Sequence, residues 1–163
     1  MSPLKIEALG LENAAGEIVL FETFSGNPEC KYRGPTTRHF WLVADKPHQR
    51  LNPRNDYFRM LPDGSGFLLC ENLPRSDNLV LLDVYGGERT RLSIPWQLTR
   101  TPTQLSAAYP SRFIGMTTPW DNPKTGDKGK FGILTWVVFA GDYCFELDYH
   151  KGKFLWGYFL ERG

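Results

Sequence analysis

Short runs of apolar and β-branched residues, separated by turn residues, recur along this chain. The first such runs are residues 17–24, 40–44, 57–61 and 67–71. The last two are joined by residues 62–66 (Pro-Asp-Gly-Ser-Gly), in which proline and glycine favour a tight turn. This pattern predicts antiparallel strands joined by hairpins, because apolar residues do not recur at helical spacing.

A second hairpin is indicated in the middle of the chain. Residues 79–85 form an apolar run, and the Gly86-Gly87 pair follows it directly. Two glycines in this position predict a type I′ turn, in which both residues have positive φ. Residues 88–94 then alternate polar and apolar side chains, so we expect one face of that strand to be buried and the other solvated.

The C-terminal third predicts a meander of three strands, over residues 131–139, 143–149 and 153–160. The middle strand alternates aromatic or apolar residues with polar ones, including Glu146 and Asp148. We therefore expect these two carboxylates on a solvated face.

These patterns together favour an all-β fold of one domain, residues 1–163. Strands that recur every 8–12 residues fit an antiparallel sandwich, a barrel or a propeller-like meander. Residues 103–109 fit a short helix, and we expect no other.

Composition narrows the class of partner and the compartment. The 19 basic and 18 acidic residues nearly cancel, which disfavours general nucleic-acid binding. Cys30, Cys70 and Cys144 are odd in number and widely spaced, which is typical of free thiols in a reducing compartment. The start of the chain has no signal-peptide pattern, and no apolar run is long enough to span a membrane. We expect a cytoplasmic protein.

Residues with chemical potential are few. Glu146 and Asp148, close to His150, are a carboxylate pair of the kind used in acid–base catalysis, but no nucleophile or opposing acid accompanies them. Cys70 lies in an apolar strand, where a thiol is usually an inert core residue. His39 and His48 match no standard zinc spacing. The sequence predicts no catalytic residue, no metal site and no cofactor.

Two surface segments are better suited to bind a partner protein. Arg50 and Arg54 lie in a basic stretch that we expect to be a loop, and arginine is common in interfaces. Trp120 and Asp121 lie in the longest polar loop, where a large aromatic side chain either binds a partner or covers the core. The predicted partner-binding residues are Arg50, Arg54, Trp120, Asp121, Glu146 and Asp148.

Two resemblances extend this interpretation. Residues 62–69 and 79–92, with their Pro-Asp-Gly and Gly-Gly turns, resemble a β-propeller blade. The whole chain resembles the small, leaderless, β-rich cytoplasmic immunity proteins that bacteria pair with secreted toxins, in its size, expected compartment and lack of a catalytic motif. This resemblance implies that the protein acts by covering the active cleft of a toxin.

The resulting hypothesis is a non-enzymatic protein-binding domain, most concretely an immunity protein that occludes the active site of a cognate bacterial toxin. The alternative is a small-ligand-binding β-barrel with aromatic residues at its mouth. An enzyme of unrecognised type ranks lower. A nucleic-acid-binding protein ranks last, since it requires the arginines at positions 33, 38, 50 and 54 to converge beside exposed aromatic residues.

Overall fold

The computed structural model describes residues 4–21, 35–99, 111–117, 125–126, 131–137 and 141–159. Within these ranges the chain forms three four-stranded antiparallel sheets and one 3-10 turn, Trp96–Leu98. The prediction of an all-β fold is confirmed. None of the three sheets closes into a barrel in the described part of the chain. The helix expected at residues 103–109 lies outside the described residues.

The first sheet contains β1 (Ala8–Asn13), β2 (Ile18–Phe21), β3 (Thr36–Val43) and β4 (Lys46–Leu51), in the order β2-β1-β3-β4. A two-residue turn joins β3 to β4, and its residues Ala44 and Asp45 have φ of 49° and 62°. Positive φ at both positions is the geometry that matches the twist of a hairpin. β2 and β4 are the outermost of the described strands in this sheet.

The presence of β4 corrects the expectation that the basic stretch around Arg50 is a loop. Pro47 obscures the strand in the sequence, because proline cannot donate to a β-ladder. The structure shows why it is tolerated. Asn52 N donates to Thr37 O at 2.8 Å, and by alternation the amides of His48 and Arg50 also face β3. Pro47 therefore faces the open edge, where no ladder donor is lost.

The second sheet contains β5 (Tyr57–Met60), β6 (Phe67–Cys70), β7 (Leu79–Leu82) and β8 (Glu88–Leu92), which follow one another in space as in sequence. Both predicted hairpins are present. At the second turn only Gly86 has positive φ, 82°, so the prediction of two such glycines was wrong. The reason is Asp83, whose Oδ1 accepts hydrogen bonds from the amides of Tyr85 and Gly87 and shapes a longer turn.

The third sheet contains β9 (Arg112–Thr117), β10 (Gly132–Val137), β11 (Gly141–Asp148) and β12 (Lys153–Phe159), in the order β12-β11-β10-β9. All three pairings are antiparallel. The C-terminal meander is thus confirmed, and β10 occupies a central position in its sheet.

The chain divides into two compact units, Met1–Glu71 with Val80–Arg89, and Asn72–Leu79 with Thr90–Gly163. In the first unit, buried apolar residues from the first two sheets form one core, and its members include Ile6, Trp41, Val43, Phe67, Leu69, Val80, Leu82 and Val84. Trp41 Nε1 donates to Val84 O at 2.8 Å, so the polar atom of this large buried ring is satisfied. In the second unit, Phe113 stacks on Phe154 and Phe145 is fully buried.

Candidate partner-binding surface

The first sheet has one face in the core and one face only half buried. On β3 the side chains of His39, Trp41 and Val43 are buried, whereas those of Arg38, Phe40 and Leu42 are half-buried on the opposite face. An open groove of about 540 Å³ is associated with this second face. Its lining residues, which define the outer groove, are Ile18, Arg38, Phe40, Pro47, His48 and Gln49.

The register of β1 places a glycine next to Phe40 on the outer face of the first sheet. Gly10 is paired with Phe40 on one side and with Leu20 on the other. Because glycine has no side chain, the outer face lacks a side chain between these two strands at this level. Gly10 itself is buried at this position.

Arg38 is held in a fixed position in the outer groove. Its NH2 contacts Glu12 Oε2 at 2.6 Å, and its NH1 donates to Gln49 Oε1 at 3.2 Å. The guanidinium carbon lies 5.4 Å from the centroid of the Phe40 ring. An arginine stacked on an aromatic ring presents a cation and an apolar surface side by side, which is typical of protein–protein binding sites.

The opposite, inner face of the same hairpin carries Arg50, His39 and the ring of His48, which stacks on Trp41, although His48 also contributes to the lining of the outer groove. Arg50 is paired with His39 across the strands, and its guanidinium carbon lies 5.9 Å from the Phe58 centroid. His39 is 7% exposed, and burial, followed by the charge of Arg50, lowers its pKa to about 4. The buried Nε2 atoms of His39 and His48 have no hydrogen-bond partner among the described residues. His39 is therefore a neutral, aromatic-like core residue at neutral pH.

Arg54 follows β4 in a loop that is ordered by Asn52. Asn52 Oδ1 accepts from Asp56 N at 2.8 Å, and Asn52 Nδ2 donates to Thr36 O at 3.0 Å. Arg54 NH2 contacts Asp56 Oδ2 at 2.8 Å and Glu71 Oε2 at 3.5 Å. The hydrogen bond to Asp56 is the main reason that the pKa of Arg54 is raised. The structure thus places Arg50 and Arg54 near the same hairpin, but neither lines the outer groove.

Glu146 and Asp148 are 0% and 3% exposed, so the expectation that they lie on a solvated face was wrong. Glu146 Oε2 accepts from Phe131 N at 3.1 Å. Asp148 Oδ1 accepts from the amides of His150 and Lys151 in the β11–β12 turn. Backbone donors replace water as partners of these carboxylates, and both positions are inaccessible to a binding partner.

The described cysteines are core residues. Cys70 and Cys144 are buried free thiols, as expected for core residues, and Cys30 lies outside the described residues. Burial, followed by the charge of Glu146, raises the pKa of Cys144 to about 12. Trp120 and Asp121 also lie outside the described residues and stay predictions. Across the described ranges, no group of three or more His, Cys, Asp or Glu residues is arranged to hold a metal ion.

The sequence did not single out Ile18 and Phe40 as binding residues. The available signal was β3 itself, where Arg38 and Phe40 alternate with His39 and Trp41, so that each face of the strand carries an aromatic residue. Such a strand must either be covered on both faces or present one aromatic face to a partner. Among the described helical residues, none forms a stretch long and apolar enough to cross a membrane.

No protein-family model matches the chain, and no curated protein matches it. A chain in the solved structure of Tne2 in complex with Tni2 is similar to it, with a TM-score of 0.62. The similarity covers 96% of this chain and 99% of that chain, at 10% sequence identity. At this identity the comparison shows the fold alone: the chain shares its architecture with one member of a two-protein complex.

Proposed function

We propose that the protein is a non-enzymatic protein-binding domain, most concretely an immunity protein that occludes the active site of a cognate bacterial toxin. The observation that carries the proposal is the outer groove, in which Arg38 is fixed against Phe40. The shared fold with a chain of the Tne2–Tni2 complex supports a role in a two-protein assembly. The immunity function itself rests on the resemblance in size, expected compartment and absence of catalytic motifs.

The shape and chemistry of the outer groove suit a protein partner. The groove is open, whereas pockets for small ligands enclose most of the ligand surface. Large apolar side chains are exposed around it: Ile18 on β2 is 59% exposed and Leu51 on β4 is 68% exposed. An arginine and an aromatic ring at the centre, with apolar side chains around them, is an arrangement that favours a binding hot spot.

Occlusion also requires a surface that does not yield when the partner binds. The floor of the outer groove is a four-stranded ladder, and Trp41 secures its back to the core through the hydrogen bond to Val84. A preorganised surface loses little conformational entropy on binding. We propose four further residues as additional contacts with the partner: Arg50, Arg54, Trp120 and Asp121. Glu146 and Asp148 are not proposed as contacts, because both are buried.

The barrel alternative finds no support in the described residues. Their strands form three separate four-stranded sheets, so they provide no barrel interior to hold a small ligand. We therefore propose no second function.

Replacement of Ile18 by Asp tests the outer groove as the binding surface. Ile18→Asp introduces a charge into the outer groove on a side chain that is already exposed, so we expect the fold to persist and the affinity for the natural partner to fall by about tenfold or more. The matched control is Tyr57→Asp, an exposed aromatic position on β5, at 61% exposure. Affinities measured by titration calorimetry that fall equally for both variants, or for neither, would contradict the assignment.

A further inference from the structure

We propose that the partner contributes an extended segment that pairs with β4 and becomes a fifth strand of the first sheet. This inference rests on the proposed function and specifies the chemistry of the partner. Residues of the segment on one of its faces are acidic, and the alternating residues on the other face are apolar.

Among the described strands, β4 has a neighbour on one side only. β4 is the last strand in the order β2-β1-β3-β4, and Asn52 N donates to Thr37 O at 2.8 Å. Since ladder bonds alternate along a strand, Gln49 and Leu51 direct their N–H and C=O groups away from β3. Both residues are exposed, and their outward backbone groups meet no partner among the described residues. An added strand supplies the missing partners, which is the basis of recognition by strand addition.

The side chains on the inner face of β4 are basic and therefore favour acidic residues on the added strand. Residues 46–51 contain Lys46 and Arg50 but no carboxylate. Neither basic side chain forms an ion pair with a described residue. Arg50 lies opposite His39, which is buried and makes no compensating charge. Carboxylates on the flanking strand would lie across from these cations, and opposite-charge cross-strand pairs stabilise a sheet.

The same charges argue against a second copy of this chain as the added strand. Two β4 strands side by side bring basic residues of one copy against basic residues of the other, and such pairs are destabilising. Lysine and proline on an edge strand are known protections against self-association. Pro47 removes only one outward donor and leaves those of Gln49 and Leu51 for a partner of opposite charge.

The outer face of β4 selects apolar residues at the alternate positions. Pro47 and Gln49 line the outer groove together with Phe40, and Leu51 lies on the same face. Side chains of an added strand on this face would extend the apolar wall of the groove and cover Leu51. The proposed segment thus alternates carboxylate and apolar residues over the length of β4.

Synthetic peptides test this specificity without knowledge of the natural partner. The probe is a peptide of about ten residues in which glutamate alternates with valine, a length that spans the six residues of β4. One control has the same composition in two blocks, and a second has lysine in place of glutamate. We expect the alternating acidic peptide alone to shift the NMR signals of the Gln49 and Leu51 amides and to slow their hydrogen exchange. No response at these amides, or equal binding of the block peptide, would overturn the proposal.

N-methylation of the peptide tests the backbone pairing directly and leaves the protein unchanged. Two peptides are compared, one methylated at the odd-numbered amides and the other at the even-numbered amides. Because ladder hydrogen bonds alternate along a strand, one peptide loses the donors that face β4 and the other loses the donors that face solvent. We expect one of these peptides to cause no NMR shifts at the Gln49 and Leu51 amides and the other to cause the same shifts as the unmethylated peptide. Loss of binding for both methylated peptides, or for neither, would show that the peptide does not bind as a strand.

Charge-reversal variants connect the edge to the natural partner. We expect Lys46→Glu combined with Arg50→Glu to lower the affinity of the protein for the acidic peptide and for the natural partner by about tenfold. The matched control is Lys151→Glu combined with Lys153→Glu on the exposed β11–β12 hairpin, which should leave both affinities unchanged. If a partner is recovered but binds the two double variants equally, the strand-addition inference fails and the proposed function stands. If no partner exists, the proposed function fails, and the peptides still decide whether β4 accepts a strand.

Discussion

At the scale of single residues, His39 couples the stability of the first unit to pH. Its pKa falls from 6.5 to about 4 on folding, so the unfolded chain binds the proton more tightly. The contribution of neutral His39 to the free energy of unfolding is therefore fully present above pH 6.5 and is lost as the pH falls from 6.5 to about 4. We expect His39 to account for about 3 kcal/mol of this loss. Urea unfolding at a series of pH values measures it.

Two variants isolate the contribution of His39 from that of other titrating groups. His39→Phe keeps an aromatic ring beside Phe58 and removes the titration, so its stability should fall less below pH 6.5 than that of the unmodified protein. Gly115→Ala changes no titratable group and should follow the pH dependence of the unmodified protein. Identical pH dependence of His39→Phe and the unmodified protein would refute the role of His39.

Gly66 is a residue at which even one methyl group is excluded. A Cβ at this position would overlap the backbone carbonyl oxygen of Leu82, so β6 and β7 would have to move apart. We expect Gly66→Ala to reduce the free energy of unfolding by about 3 kcal/mol or more. Gly115→Ala is the control, since its Cβ would meet no described atom within 4 Å. Comparable losses for the two variants, measured by urea unfolding, would exclude a steric cause.

The burial of Glu146 and Asp148 shows what residue patterns do not reveal. Alternation of apolar and charged residues normally marks a strand with one solvated face, and it predicts such a face for β11. Here the charged positions are satisfied by backbone amides of Phe131, His150 and Lys151, which are hydrogen bonds that no periodicity encodes. The strand was predictable, but the environment of its polar face was not.

At the scale of elements, the β3–β4 hairpin has a turn that its residues do not favour. Ala44 and Asp45 have φ of 49° and 62°, a region that costs an ordinary residue about 1 kcal/mol. The double substitution Ala44→Asn with Asp45→Gly supplies the Asn-Gly pair that type I′ turns prefer, and we expect a gain of about 1 kcal/mol in stability. Thermal unfolding at fixed pH measures the change.

A glycine that is replaced in the β1–β2 turn provides the comparison for the β3–β4 hairpin. Gly16 has φ of 78°, and Gly16→Ala should destabilise the β1–β2 turn because alanine disfavours that conformation. If the double substitution at Ala44 and Asp45 lowers stability while Gly16→Ala raises it, turn conformation does not govern these hairpins.

Most strands could be predicted from the sequence because their apolar runs end at proline or glycine turns, as residues 57–71 do. β4 could not, since Lys-Pro-His-Gln-Arg-Leu has neither β-branched residues nor an uninterrupted apolar run. Its pairing with β3 comes from the tight turn at Ala44 and Asp45, and Pro47 is accommodated only because β4 is an edge. Tertiary position overrides local propensity at this element.

At the scale of the whole molecule, the all-β class was predictable and the outer groove was not. The class follows from turn spacing, which is a local signal. The groove instead joins Ile18, Arg38 and Gln49, which are distant in sequence and become neighbours only through the register of four strands. Register across a non-sequential order such as β2-β1-β3-β4 has no local signature in one sequence.

Native mass spectrometry of the protein purified gently from its own source tests protein binding most directly. We expect a complex with one other protein in fixed stoichiometry. We also expect the Ile18→Asp variant, expressed in the same source, to lose that partner while Tyr57→Asp retains it. Recovery of the protein with a bound small molecule, or of the bare chain under conditions that preserve other complexes from the same source, would contradict a protein-binding function.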